Sequence, residues 1–149
     1  VISRHKQLNL HAPELGVYGD CARTAYACLL GLHPLEVPHF LIDNPPADEF
    51  CKRQRDWLAS RGLTEIALPM GAETFDEVLR TMGCLNPDVH YLVTGMGRAG
   101  CQHVVICYGN RLEWDPSRTD SGIIGPCSDG FFWLGFLAPL SLQNSAQPA

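Results

Sequence analysis

The sequence predicts an α+β fold in which an early helix packs on a later antiparallel sheet. Three observations carry this expectation. Apolar residues recur at helical spacing over 21–30, and more loosely over 47–61 and 73–82. Alternating and β-branched runs gather in the second half of the chain, and short glycine-containing connections join them in sequence. Helices first and sequential strands later favour an antiparallel sheet over a parallel, doubly wound one.

Taken in order, residues 1–19 are polar and carry Pro13 and Gly16, which predicts an irregular arm leading into the domain. Asp20 stands at an N-cap position and Gly31 at a helix end, so the first helix is expected over 21–30 with Cys21 in its first turn. Pro34 and Pro38 break the chain, and Asn44-Pro45-Pro46 forms a loop before a helix over 47–61 closed by Gly62. Phe50, Trp57 and Leu58 mark its inner face, while Lys52, Arg53 and Arg55 mark its solvated face. A strand over 63–68, a helix over 73–82 ended by Gly83 and a strand over 89–94 come next.

Gly95, Gly97 and Gly100 predict a flexible loop. A hairpin follows, with strands over 103–108 and 111–115 turning through Gly109-Asn110. Segment 131–140 supplies a closing strand, and Phe131, Phe132 and Trp133 are assigned to the core rather than to a groove because large aromatics dominate burial. The whole reads as one domain over 1–140 with a loose tail over 141–149.

Composition narrows the function classes. With 11 Lys and Arg against 16 Asp and Glu, the net charge is −5 and the basic residues are scattered, so nucleic acid is not expected as a partner. There is no apolar run of membrane-spanning length. The seven cysteines are an odd number without a secretory pattern, and Cys28 and Cys107 lie in apolar runs, so reduced thiols and a cytoplasmic location are expected. Cys84, His90, Cys101 and His103 lack the paired spacing of a zinc site, so no metal is expected. Gly95-x-Gly97-x-x-Gly100 matches a dinucleotide fingerprint only as a string, because a strand rather than a helix follows it. No cofactor is expected.

Nucleophile chemistry remains. A thiol at a helix N-terminus feels the partial positive charge of unpaired amides, and the thiolate is the reactive form. Cys21 has that position, and His103, opening a strand after a glycine-rich loop, is the candidate base. Asp115 is the candidate orienter of the imidazole, provided the hairpin register puts it on the face of His103. A three-residue loop Tyr108-Gly109-Asn110 with left-handed Asn110 opposes His103 to Asp115. A two-residue Gly-Asn turn opposes His103 to Pro116 instead and turns Asp115 away.

Gly19-Asp20-Cys21-Ala22-Arg23-Thr24-Ala25, Leu30-Gly31-Leu32, Glu36-Val37-Pro38-His39-Phe40, Gln102-His103-Val104-Val105 and Asp115-Pro116-Ser117 together resemble a group of uncharacterised bacterial and phage proteins regarded as papain-like. That group is distantly similar to the leader-peptide peptidases of bacteriocin exporters. The resemblance implies a papain-like fold with a nucleophile helix on an antiparallel sheet, nucleophile Cys21, base His103 and orienter Asp115. Papain-like enzymes commonly place a Gln shortly before the nucleophile to bind the oxyanion, whereas position 15 here is Leu15. Gln7 takes that role if the arm folds back, and the backbone N–H of Cys21 is the other donor.

Asp20 and Gln102, the neighbours of Cys21 and His103, are candidate substrate-binding residues. Glu36-Val37-Pro38-His39-Phe40 reads as packing that positions the nucleophile helix, in preference to the alternative of a substrate-binding role for His39. The function expected is cysteine-dependent acyl hydrolysis of a peptide or isopeptide bond in a peptide or protein substrate. The alternatives are acyl transfer or amidase action on a small-molecule amide, and a noncatalytic module, such as a phage anti-host protein, that binds a protein on the same scaffold.

Overall fold

The computed structural model describes residues 1–140, so the tail expected over 141–149 lies outside the described residues. Helix α1 spans Cys21–Leu30 and ends where Gly31, in the left-handed conformation, donates its N–H to the Ala27 and Cys28 carbonyls. Ala25, Tyr26, Ala27 and Cys28 are buried against Leu92, Val104 and Ile106 of the sheet. Each aliphatic side chain of leucine size so removed from water contributes roughly 1.5–3 kcal/mol.

Asp20 occupies the N-cap position, but its carboxylate does not cap the helix. It accepts the Leu8 and Asn9 N–H groups at 3.2 and 2.9 Å and Arg23 Nε–H at 2.9 Å. This corrects the simple capping role, because the side chain fastens the N-terminal arm to the start of α1. Further contacts seat the arm, as the Gln7 N–H donates to the Pro116 carbonyl at 2.8 Å and Ser3 Oγ donates to Leu32 O at 2.8 Å.

Helix α2 spans Ala47–Ser60. Leu58 is buried, Phe50 and Trp57 pack beside it, and the outer Lys52 and Arg53 pair with Asp56, Asp43 and Glu49. Helix α3, Phe75–Leu85, is capped by Thr74 Oγ1, which accepts Glu77 N–H at 3.2 Å. It does not stop at Gly83 as expected. A Cβ at Gly83 would overlap Asn110 Cβ, so this glycine permits close packing rather than ending the helix.

Among the described residues six strands, all in antiparallel pairs, form one sheet: β1 (Leu63–Met70), β2 (His90–Gly97), β3 (Gln102–Tyr108), β4 (Arg111–Trp114), β5 (Ile123–Gly125) and β6 (Phe132–Pro139). Their order is β1-β6-β2-β3-β4, with β5 pairing the end of β2. The period-2 alternation of strands divides the core. Leu92, Val104 and Ile106 join α1 and α2, while Tyr91, Val93, Val105 and Cys107 join Val78 and Met82 of α3. The α+β expectation holds at this level.

Strand β2 runs through Gly95 and Gly97, which narrows the expected flexible loop. Gly95 has Ile123 Cγ2 and Gly125 O within 2.7 Å of where its Cβ would be, so it admits the short β5, a strand that the sequence pattern does not mark. Among the described residues no helix is long and apolar enough to cross a membrane.

The hairpin between β3 and β4 departs from the expected three-residue loop. Tyr108 pairs with Arg111, so the turn has two residues, Gly109 and Asn110, and Gly109 rather than Asn110 is left-handed. Cys107 pairs with Leu112, but Ile106 pairs with Trp114, so a β-bulge leaves Glu113 without an opposite residue. One extra residue reverses the alternation. Asp115 is thereby returned to the face shared by Val105 and His103.

Candidate active site

The bulge has a direct chemical result. His103 Nε2 lies 2.6 Å from Asp115 Oδ1, with both side chains buried. The same Oδ1 accepts Ser117 N–H at 2.8 Å, and Oδ2 accepts Gly122 N–H at 2.8 Å. Asp115 is thus held by the strand before it and by the turn after it. Since Nε2 is engaged by Asp115, Nδ1 is the ring nitrogen left for Cys21.

Burial is the largest influence on both groups and opposes charge on each. For Asp115 it is outweighed by hydrogen bonds from His103, Ser117 and Gly122, which hold the carboxyl at about 2. For His103 burial would favour the neutral ring, but Asp115 and Cys21 together raise it to about 9. At neutral pH the pair is therefore imidazolium and carboxylate. Four other thiols, Cys28, Cys101, Cys107 and Cys127, are pushed up above the ordinary thiol value, chiefly by burial.

Cys21 begins α1 and is partly exposed. It lines a cleft of about 560 Å³ together with Gly19, Asp20, Gln102 and His103. Helix α1 supplies the cysteine and the start of β3 supplies the histidine. Gly97 of the neighbouring strand leaves room for His103, whose Cβ would be only 3.1 Å from a Cβ at Gly97.

Cys21, His103 and Asp115 are therefore brought together. Gln102 and Asp20 border the cleft, although the Asp20 carboxylate is already occupied by the arm and Arg23. The arm folds back as the role suggested for Gln7 requires. Gln7 is buried beside Gly19, but its amide Nε2 donates to Asn9 O at 2.6 Å and the residue does not line the cleft. His39 lines the cleft while its Nε2 is tied to Tyr18 O at 2.9 Å, and Val37 and Phe40 are buried beside α1, in keeping with a packing role for that segment.

The cleft also takes in Trp133, Tyr26 and Glu65, which the sequence reading did not assign to the site. Trp133 borders the cleft and donates Nε1–H to Asp129 Oδ2 at 2.8 Å, and of the Phe131-Phe132-Trp133 run only Phe132 enters the core. This corrects the assignment of all three aromatics to the core, because strand alternation sends Phe132 inward and its neighbours outward. Tyr26 and Glu65 also line the cleft and are hydrogen-bonded to each other, the phenol donating. No sequence signal marked Glu65. Among the described residues no group of three His, Cys, Asp or Glu side chains is placed to hold a metal ion. Comparison with protein-family models, curated proteins and solved structures returned no match.

Proposed function

We propose that the chain is a papain-like cysteine hydrolase acting on an acyl carbon, first of all that of a peptide or isopeptide bond. The observation that carries this reading is that His103, hydrogen-bonded to the buried Asp115, lines the same cleft as a helix-start cysteine. A buried carboxylate that fixes one imidazole nitrogen leaves the other directed to a nucleophile, which is the division of labour of a catalytic triad.

The steps use His103 as the proton donor and then the proton acceptor. The Cys21 thiolate attacks the acyl carbon, and the carbonyl electrons move to oxygen, where the Cys21 N–H in the first turn of α1 is the donor. Collapse of the tetrahedral species breaks the bond to the leaving amine as the His103 imidazolium gives that amine its proton. The neutral ring then takes a proton from water, and the hydroxide attacks the thioester. Release of the carboxylic acid regenerates the thiolate and imidazolium pair.

The test is alkylation by iodoacetamide at pH 6 with mass-spectrometric mapping of all seven cysteines. Cys21 is expected to label far ahead of the others, and His103→Ala to remove its advantage. Equal labelling of the seven overturns the reading. It would leave the cleft as a binding surface without covalent chemistry.

A further inference from the structure

The cleft holds a carboxylate that the proposed chemistry does not use. Glu65 on β1 is half-buried, and its Oε1 fills the space over Gly135 that the Cβ of any other residue there would need. Its hydrogen-bond partner is the Tyr26 hydroxyl. Among the described residues no Lys, Arg or His forms an ion pair with it. Residues 141–149, Ser-Leu-Gln-Asn-Ser-Ala-Gln-Pro-Ala, contain no cationic side chain and so cannot supply one.

A carboxylate taken from water is ordinarily paired with a cation or neutralised. Burial raises the proton affinity of Glu65, against the opposing effect of the Tyr26 hydrogen bond. The same cleft is lined by Phe40, Phe50, Leu92 and Trp133. Apolar walls with a carboxylate among them match a side chain with a methylene stem and a charged end, whose stem can lie along apolar surface while its head finds a partner. Cys21 and Tyr26 stand on the same helix and line the same cleft, so the Tyr26-bound carboxylate and the nucleophile share one space.

We infer that Glu65 is the specificity-determining residue of the cleft and selects substrates presenting a lysine or arginine side chain next to the acyl carbon attacked by Cys21. The inference rests on the hydrolase reading and names its substrate class. The Tyr26 hydroxyl orients the carboxylate, and the glycine at position 135 makes the space in which it lies.

The experiment compares two chloromethyl ketones, of Nα-acetyl-lysine and Nα-acetyl-norleucine, which differ in the terminal ammonium. Each rate of Cys21 alkylation is divided by the iodoacetamide rate of the same protein. The wild-type protein is expected to prefer the lysine reagent by about tenfold or more, the range of a hydrogen bond between charged groups. Glu65→Gln, which keeps an acceptor for Tyr26, is expected to bring the ratio near one.

Absence of a preference in the wild type, or its survival in Glu65→Gln, overturns the inference. Failure of the hydrolase reading is seen separately, as unselective iodoacetamide labelling. In that event Cys21→Ala is titrated by NMR with Nα-acetyl-lysine methylamide and its norleucine counterpart. Tighter binding of the lysine compound sustains the recognition site, and equal binding overturns it.

Discussion

Asp115 reaches His103 at 2.6 Å only because Glu113 is bulged out of the β3–β4 ladder. The two-residue turn at Gly109-Asn110 sets a parity in which Asp115 would face away from His103, and the bulge resets it. Orientation of the imidazole is therefore encoded by an irregularity, as β-bulges beside functional sites commonly re-aim a side chain.

Asp115→Asn tests that relationship with little change of shape. Without the carboxylate, the His103 titration midpoint is expected to fall from about 9 toward the ordinary histidine value of 6.5. Cys21 alkylation at pH 8 should slow by about tenfold or more, because each unit of imidazole pKa changes the protonated partner up to tenfold. NMR titration of the His103 ring and the iodoacetamide rate measure the two effects. An unchanged midpoint in the folded variant refutes the electrostatic role of Asp115.

Stability should depend on pH through the same pair. Asp115 is lowered from 3.8 to about 2, so its contribution is complete above the unfolded value and disappears as pH falls through 2. His103 is raised from 6.5 to about 9, so its contribution is complete below 6.5 and disappears as pH rises through 9. Urea unfolding is expected to show the pair's full contribution between those limits, from about pH 4 to 6.5. His103→Gln should lack the pair's part of the alkaline decline. Parallel curves for wild type and variant between pH 6.5 and 9 would show that the ring is not held protonated by the fold.

Much of this arrangement was legible in the sequence, for reasons that differ by residue. The limits of α1 follow from local chemistry, a left-handed glycine at position 31 and a run of small and apolar residues before it. His103 at a strand start and Asp115 after a hairpin strand were legible for the same local reasons. The route from one to the other was not, since a bulge depends on how β4 meets β3 rather than on the composition of β4. Gly83, Gly95 and Gly97 read as breakers, yet each lies in regular structure where another segment approaches closely. Glu65 was invisible because an acid within a strand acquires meaning only from Tyr26, Gly135 and the cleft around it.

Gly83→Ala separates helix propensity from packing. In an exposed helix interior the substitution would stabilise by about 1 kcal/mol. Here the new methyl would overlap Asn110 Cβ and lie 3.1 Å from Asn110 Cα, and neither atom is the free end of a flexible side chain. The expected net result is a loss of ~1–3 kcal/mol, the range for overpacking. Urea denaturation measures it, and a gain in stability would show that α3 and the hairpin turn can part without cost.

Gly97→Ala carries the same logic into the site. The φ of Gly97 is not in the left-handed region, so alanine meets no backbone strain there. Its methyl would instead lie 3.1 Å from His103 Cβ and 3.2 Å from Cys101 O, which forces the root of the histidine to shift by a few tenths of an ångström. Misplacement of a reacting group by about 1 Å can cost ~10²-fold in rate, so a smaller shift is expected to slow Cys21 alkylation by roughly tenfold. Gly100→Ala provides the contrast, because a Cβ there meets nothing within 4 Å but the backbone, at φ +79, is strained by any side chain. That variant is expected to lose stability while Cys21 keeps most of its reactivity relative to the other thiols. If both variants change only the urea midpoint, then the close approach of β2 to His103 supports the fold alone and has no part in aiming the ring.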